Sequence, residues 1–461
     1  MFMMEKFTKG MNLDNIFQTK IGKDAYLLLN SYTGAIDLVP ANFLTSPDPS
    51  VVSHLTKRGY FLQKSEIAEA KNKLLKIYKN NAKNAPHWFY ILTTLNCNYD
   101  CPICYEKSTY KTSNISEATA ASVLRFIKKL QQEKQIPNRK MNIILFGGEP
   151  LMGDRRVITK IFSEVEQNGW KVVIVTNGSL VIQNMELFER YKYCISDFRI
   201  TLDGPREIHN KRRPFKAKHG SFDLVVNAID ILLKNNFQVK MQTILGNGNL
   251  KYLDQIVGII NKYKWTKYNN FQWRIEGSHD YANLDPEKDE ISEGKMVKEL
   301  INLIKRRPEI KGKIKFESFK YLGHVVESFG WMGDYKAYWG PKIAFCEPQK
   351  GFQYVFSTDG SIYHCPRTIN NKRYKIGDFE KGFNEKIKNL KQQIVYEKSK
   401  CVDCSLNSFC GGGCAVQGVY YKKFDCQKYA EQIFSEFFRL MEKEVLAKTK
   451  DNKIVSINKL W

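Results

Sequence analysis

Residues Trp88-Phe89-Tyr90-Ile91-Leu92-Thr93-Thr94-Leu95-Asn96-Cys97-Asn98-Tyr99-Asp100-Cys101-Pro102-Ile103-Cys104 run from an apolar, strand-like segment straight into a loop with three cysteines spaced C-x3-C-x2-C. Thiolates are soft ligands that select iron–sulfur clusters, zinc or Cu(I). A cubane [4Fe–4S] cluster has four irons to ligate, so three cysteines leave one iron open, as catalytic metal sites keep an open position. The spacing differs from the four-cysteine bacterial ferredoxin run, C-x2-C-x2-C-x3-C. Taken alone, the triplet also suits zinc, or cysteines buried for packing.

Outward from this loop, residues 86–276 alternate apolar strand-like runs with amphipathic helical stretches, the pattern of repeated βα units. The predicted strands are Trp88–Thr94, Met141–Phe146, Lys171–Thr176, Phe198–Leu202, Val239–Leu245 and Phe271–Glu276, with helices such as Glu117–Glu133 and Phe222–Lys234 between them. Right-handed crossovers join such strands into a parallel sheet. Six units are too few for a closed eight-stranded barrel. In parallel barrels the chemistry sits at the C-terminal strand ends. There lie the cysteine loop, Gly147-Gly148-Glu149-Pro150, Thr176-Asn177-Gly178 and Thr201-Leu202-Asp203-Gly204-Pro205.

The cysteine spacing followed by Gly147-Gly148-Glu149-Pro150 resembles the signature of the radical S-adenosylmethionine (SAM) enzymes. That resemblance implies an α/β fold built on an open (β/α)6 partial TIM barrel. It implies a [4Fe–4S] cluster on Cys97, Cys101 and Cys104, with Gly147, Gly148, Glu149 and Pro150 gripping the methionine end of SAM. Two glycines permit close backbone approach, and a carboxylate beside them can pair with an ammonium group. Thr201 is a further candidate SAM contact, and Arg213 a bidentate partner for the SAM carboxylate. Asn177 and Asp203 are lesser candidates, because T-N-G and L-D-G also make ordinary turns. Ile103 departs from the aromatic residue that many relatives place near adenine. Its backbone amide and one apolar face still serve, with Tyr105 as the alternative aromatic surface.

Seven more cysteines lie downstream: Cys346, Cys365, Cys401, Cys404, Cys410, Cys414 and Cys426. The run from Phe352 to Cys365 reads as a hairpin turned at Asp359-Gly360. The paired spacings in Cys401–Cys414 also suit a zinc ribbon. The whole arrangement resembles the SPASM domain, the auxiliary-cluster module of radical SAM enzymes that act on peptides and proteins. The resemblance implies an interleaved split, with Cys401, Cys404, Cys410 and Cys426 holding a fully ligated distal cluster. Cys346, Cys365 and Cys414 would hold a proximal one that lacks a fourth cysteine. The eleventh cysteine, Cys194, precedes an apolar strand without partner spacing and reads as a buried structural thiol.

The remaining properties set bounds. A chain of 461 residues with 43% hydrophobic content supports two or three domains. The expected division is a small N-terminal α+β module (1–85), the barrel core (86–276), a helical bridge (277–340) and the cysteine-rich auxiliary-cluster domain (341–461). The module shows a strand pair around Tyr26–Leu38, Tyr60-Phe61-Leu62, and a lysine-rich helix to about Lys79. It loosely resembles the winged-helix elements with which peptide-modifying relatives pair a leader peptide. Helix Glu287–Lys305 is the clearest in the bridge. The formal charge of +24, from 72 basic and 48 acidic residues, is distributed surface charge that would attract an acidic leader. No compact Arg-rich block points to a nucleic-acid partner. No signal-peptide pattern and no apolar stretch near the ~20 residues of a membrane span are present, so a cytoplasmic enzyme without membrane contact is expected. Thiols there stay reduced, which favours metal over disulfides.

The implied activity is reductive cleavage of SAM to a 5′-deoxyadenosyl radical that abstracts hydrogen from a precursor peptide or protein. Three [4Fe–4S] clusters and an electron donor such as flavodoxin or ferredoxin would take part. An open proximal cluster would suit thioether crosslinking of a peptide cysteine. The rival is anaerobic sulfatase maturation, oxidising Cys or Ser to formylglycine. Those maturases typically carry an aspartate after the second auxiliary cysteine, where this chain has Pro366. From another class, the chain could be a non-catalytic iron–sulfur electron carrier or a zinc-binding module.

Overall fold

The computed structural model describes residues 15–44, 48–104, 106, 112–278, 289–315, 320–332, 341–385, 395–396, 398–414, 426–448 and 454–460. At the N-terminus, β1 (Ile16–Ile21), β2 (Ala25–Asn30) and β3 (Ile36–Pro40) form an antiparallel meander. The predicted strand pair is thus β2 and β3, while β1 was hidden by its polar centre, Gln18-Thr19-Lys20. Tyr60-Phe61-Leu62 is a turn, anchored by the buried Tyr60 hydroxyl donating to the Leu28 carbonyl at 3.0 Å. Helix Lys64–Lys83 follows.

The six predicted core strands form as β4 (His87–Thr94), β5 (Met141–Gly147), β6 (Lys171–Thr176), β7 (Ile195–Thr201), β8 (Val239–Leu245) and β9 (Phe271–Gly277). Each is parallel to the next, as short βα connections require. Helix Glu117–Glu133 starts where the Ser116 side chain accepts from the Thr119 amide, and it buries Ala120, Val123, Leu124, Ile127 and Leu130 at helical spacing. A short β10 (Ile314–Lys315) extends the sheet beyond β9, again in parallel. In the expected bridge the helix runs Glu293–Arg306, starting later than the predicted Glu287 because the Ser292 side chain accepts from the Lys295 amide and caps it; 289–292 are not helical, and residues 287 and 288 lie outside the described residues.

Beyond β4 the same sheet continues into the cysteine-rich region. β11 (Gln353–Phe356) pairs in parallel with β4, followed antiparallel by β12 (Ser361–Tyr363), β13 (Gly377–Asp378) and β14 (Gly382–Phe383). The predicted hairpin is β11–β12, with Gly360 at φ +77° in its turn. A last strand, β15 (Val455–Ser456), returns from the C-terminal end to pair with β3.

One face of β4–β9 packs against the helices through residues such as Ile91, Ile143, Ile174, Ile200, Met241 and Trp273. The alternate residues face the other way. On that face the Arg199 guanidinium of β7 lies 5.3 Å from the Trp88 ring of β4. Three strand spacings in a flat sheet span about 14 Å, so the sheet curls and that face becomes the lumen of an open barrel.

Candidate metal and cofactor site

The loop after β4 takes its shape from contacts on both sides. The Leu95 amide donates to the Ser113 carbonyl at 2.8 Å and the Asp100 amide to Pro214 at 2.8 Å. Buried Tyr99 meets the Phe215 ring edge-on at 4.5 Å. Cys97, Cys101 and Cys104 thereby share one region. Burial pushes the Cys97 thiol up to about 12, with the Glu149, Cys101 and Cys104 charges adding to the rise. Burial, Glu106 and Cys101 act likewise on Cys104, up to about 11. Three isolated thiolates crowded in a buried pocket are costly, whereas a shared metal centre compensates them. The donor set therefore fits a cluster.

Gly147 and Gly148 lie directly on this loop. A Cβ on Gly147, at φ +132°, would stand 2.0 Å from the Thr94 carbonyl oxygen. The Gly148 amide donates to Thr94 O at 3.1 Å and the Glu149 amide to Asn96 O at 2.8 Å. Pro150 accepts from the Thr93 hydroxyl at 2.8 Å. The Glu149 carboxylate is fully buried and accepts from Thr176 Oγ1 at 2.7 Å, the Leu151 amide at 3.1 Å and the Asn177 amide at 2.7 Å. Burial pushes its pKa up to about 7, against these donors. It ties the end of β5 to the end of β6, so any ammonium it received would share it with these three donors.

Asn177, a lesser candidate in the sequence, reaches this centre. Its Nδ2 donates to Asn98 Oδ1 at 2.8 Å and lies 3.9 Å from Cys97 Sγ, to which the Tyr99 amide also donates at 3.4 Å. Asn98 in turn donates to Ser179 Oγ at 2.9 Å. Asn98 and Ser179 carried no separate signal in the sequence. Arg213 places Nη1 3.9 Å from Cys101 Sγ while its Nε donates to Asp203 Oδ2 at 2.8 Å. Hydrogen bonds to cysteine sulfur tune a cluster's reduction potential. Burial opposes ionisation of Asp203, but Arg213 and Arg212 outweigh it and hold the carboxyl below its usual range. Thr201 ends β7, half-buried, and Ile103 is half-buried between the second and third cysteines. Tyr105 lies outside the described residues.

The lumen has two unlike walls. On β4 and β5 it is lined by Trp88, Tyr90 and Phe146. On β7–β9 it carries Asp197, Arg199, Lys240, Arg274 and Glu276, of which the sequence reading used none. Asp197 accepts from Arg199 at 3.1 Å and lies 3.3 Å from Lys240; Arg274 lies 2.6 Å from Glu276. Tyr90, its pKa raised by burial, feels Arg199, Arg274, Glu276 and the Cys365 thiol. The lumen therefore adjoins the cysteine-rich region.

There the thiols fall into two groups. Burial pushes Cys346 up to about 12 and Cys365 up to about 11; both feel Cys414, and Cys346 also feels Cys365. Burial likewise raises Cys404 to about 11, with Cys401 and Cys426 adding, and Cys410 to about 12, with Cys404 and Cys401 adding. Cys401 also feels Cys426. The run Gly411-Gly412-Gly413 separates the groups: all three residues are left-handed, at φ +77°, +85° and +70°. Only glycine adopts that repeatedly without strain. The turn leaves Cys410 with Cys401 and Cys404 and brings Cys414 to Cys346. Cys194 sits apart in the core, its thiol donating to the Tyr191 carbonyl at 3.2 Å.

Among the described residues no three His, Cys, Asp or Glu side chains converge as ligands of a single metal ion; a cubane takes its thiolates on different irons. No helix among them is long and apolar enough to cross a membrane.

Residues 91–257 match the family model of the Radical SAM superfamily. The chain is 24% identical over 349 residues to a cysteine-type anaerobic sulfatase-maturating enzyme of Clostridium novyi (strain NT), across 69% of this chain and 85% of that protein. Its fold is similar to native anSMEcpe with bound AdoMet, with a TM-score of 0.58 and 17% identity, covering 78% of this chain and 99% of that one. It is also similar to Streptococcus suis SuiB bound to precursor peptide SuiA, with a TM-score of 0.55 and 14% identity, covering 89% and 97%.

Proposed function

We propose that this radical SAM enzyme modifies a ribosomally made peptide, using three [4Fe–4S] clusters, and joins a peptide cysteine to an unactivated carbon through a thioether. The observation that supports it most is the partition of ten thiols into groups of three, three and four, two of which adjoin one barrel lumen. Cys97, Cys101 and Cys104 would hold a cluster, which would supply the electron for splitting SAM into methionine and a 5′-deoxyadenosyl radical.

The protein's part is placement. Gly147 and Gly148 let the SAM methionine end approach the cysteine loop. Asn177 and Arg213 orient Cys97 and Cys101 and soften their charge. The lumen holds the peptide against Tyr90 and Phe146 and keeps water from the radical. Cys346, Cys365 and Cys414 would hold a proximal cluster, and a set of three cysteines would leave room there for the substrate thiolate. Forming the thioether removes a hydrogen atom from carbon, a proton from sulfur and one further electron, which the auxiliary clusters would accept.

The second reading, formylglycine formation, draws on the sulfatase-maturating relatives. Pro366, which opens the turn Pro366–Thr368 after Cys365, supplies no carboxylate base there. The N-terminal sheet is proposed as the leader site. Its β3 edge is taken by β15, so a leader strand there would have to displace β15.

Anaerobic reconstitution tests the cluster count: about 12 irons per chain are expected from three cubanes. Co-expression with a cysteine-bearing precursor peptide, followed by mass spectrometry, tests the bond. Loss of two hydrogens with a blocked thiol supports the thioether, whereas an unchanged or merely oxidised cysteine rejects it.

A further inference from the structure

Asn177 follows β6 in a Thr-Asn-Gly turn, and half of its side-chain amide behaves as such turns do. Its Oδ1 accepts from the Ser179 amide at 2.9 Å and from Ser179 Oγ at 2.6 Å, the local bonding by which asparagine shapes a turn. That bonding does not explain the nitrogen. Nδ2 crosses to the cysteine loop, where it donates to Asn98 Oδ1 at 2.8 Å and to Cys97 Sγ at 3.9 Å, on residues 79 and 80 positions away. Asn98 Nδ2 in turn donates to Ser179 Oγ at 2.9 Å, which closes a ring of three side chains.

The ring fixes which way the amides face. Were Asn177 turned over, its NH2 group would meet the Ser179 N–H and its oxygen would meet Asn98 Oδ1, donor against donor and acceptor against acceptor. In the orientation the ring allows, both N–H groups and both lone pairs of the Asn177 amide are used. None remains for SAM, for which the sequence offered Asn177 as a lesser candidate. One N–H points instead at the Cys97 sulfur, beside the Tyr99 amide at 3.4 Å. The Asn177 backbone is held as well, its amide donating to Glu149 Oε2 at 2.7 Å.

A hydrogen bond to a ligating sulfur favours the more negative state of a cluster and so raises its reduction potential. We propose that Asn98, Asn177 and Ser179 are positioning residues for Cys97: together they hold an amide N–H on its sulfur and ease one-electron reduction of a cluster on Cys97, Cys101 and Cys104, while the Asn177 side chain takes no part in holding SAM. The electron comes from the external reductant, and no bond forms or breaks in that step. This inference rests on the radical SAM reading of the cysteine triplet and is independent of which peptide or protein is modified.

The test is a dithionite titration of the reconstituted full-length protein, followed by EPR at the cluster signal that SAM perturbs. Iron assay and equilibrium dialysis of SAM on the oxidised protein run in parallel. Asn177→Leu keeps the side chain's shape and loses its amide; it should be about tenfold harder to reduce, a midpoint about 59 mV more negative for one electron. Ser179→Ala keeps the backbone bond to Asn177 but opens the ring, and should shift the midpoint the same way by less. Iron content should be unchanged and SAM affinity within a few-fold of wild type. The sign separates tuning from damage, because a loop loosened into water would gain solvent donors and raise the potential. If Asn177→Leu does not retain its iron, Ser179→Ala decides alone. A midpoint equal to or above wild type overturns the proposal. So does a loss of SAM affinity at unchanged potential, which assigns Asn177 to SAM. Absence of any SAM-sensitive cluster signal in the wild type removes the radical SAM reading itself, and this inference with it.

Discussion

A Cβ atom on Gly148 would stand 2.4 Å from the carbonyl oxygen of Asn96, on the loop that carries Cys97. The obstacle is backbone, so no rotamer change relieves it. Gly148→Ala should separate the Gly-Gly-Glu-Pro turn from the cysteine loop and break the Glu149 amide bond to Asn96. The expected outcome is a loss of SAM binding of at least about a hundredfold, equivalent to about 2.7 kcal/mol, read by equilibrium dialysis on the reconstituted protein. Binding within a few-fold of wild type would show that the close approach is dispensable.

Arg213 and Asp203 form a buried pair at 2.8 Å, beside Arg212 at 3.5 Å from the same carboxylate. Removing Asp203 takes away the carboxylate that pairs with Arg213, and removing Arg213 leaves Asp203 with the more distant Arg212. Arg213→Gln and Asp203→Asn should each destabilise the protein by about 3–5 kcal/mol, and the double variant by clearly less than their sum. Urea unfolding of the four proteins checks this. Additive losses would mean that the pair does not act as a unit.

Much of this architecture was legible because β4–β6 are apolar on both faces and end in motif-bearing turns. The charged lumen was legible too, in Asp197/Arg199, Lys240/Gln242 and Arg274/Glu276 alternating with core residues, but a strand is recognised by its apolar set and its polar partners are easily read as surface. What could not be read is long-range. The β11–β4 pairing joins residues more than 260 positions apart, and two-residue strands such as β15 carry no periodic signal. The thiol grouping is intermediate: the family resemblance implied the sets, and the left-handed glycine run between Cys410 and Cys414 is what divides them.

His209 is buried and His324 half-buried, and both stay neutral in the fold, their pKa values pushed down to about 4 by desolvation. The unfolded chain binds their protons near pH 6.5. Stability is therefore fully present above pH 6.5 and falls as pH drops toward 4, by roughly 1.4 kcal/mol per pH unit for each histidine. Urea unfolding of wild type and His324→Gln between pH 7 and pH 5 should show a shallower slope in the variant. Equal slopes would mean that His324 is already protonated or solvated in the fold.

Gly411, at φ +77°, faces Ala344, whose carbonyl carbon would lie 2.8 Å from an added Cβ. Gly411→Ala adds left-handed strain of about 1–2 kcal/mol to that clash and should disturb how Cys410 and Cys414 are divided. On the proposed count of three cubanes, the auxiliary irons are expected to suffer, with iron per chain dropping from about 12 to about 8 or fewer, counted as four per cubane. Iron assay after reconstitution decides it, and full occupancy would show that the division survives another turn geometry.

Asn458 fastens the C-terminal strand to the N-terminal sheet. Its Oδ1 accepts from the Ile36 amide at 2.9 Å and from Arg58 Nη2 at 3.1 Å, and its Nδ2 donates to the Gly34 carbonyl at 2.7 Å. Beside it, Ser456 donates to the buried Asp37 carboxylate at 2.7 Å and the Ile457 amide to Ile36 O at 2.9 Å. These bonds, rather than the two-residue ladder of β15, hold the β3 edge closed. Asn458→Ala leaves the Ile36 amide and the Gly34 carbonyl without that partner, at a cost of about 1–3 kcal/mol. Because the loss is local, the first sign should be faster hydrogen exchange at the Ile36 amide, while the barrel strands β4–β6 keep their protection. Freeing this edge uncovers the row of backbone groups to which an added peptide strand would pair, so a leader that docks there should bind the variant more tightly than wild type. Unaltered exchange at Ile36 would show that β15 is held by other means and that this edge is not a gate.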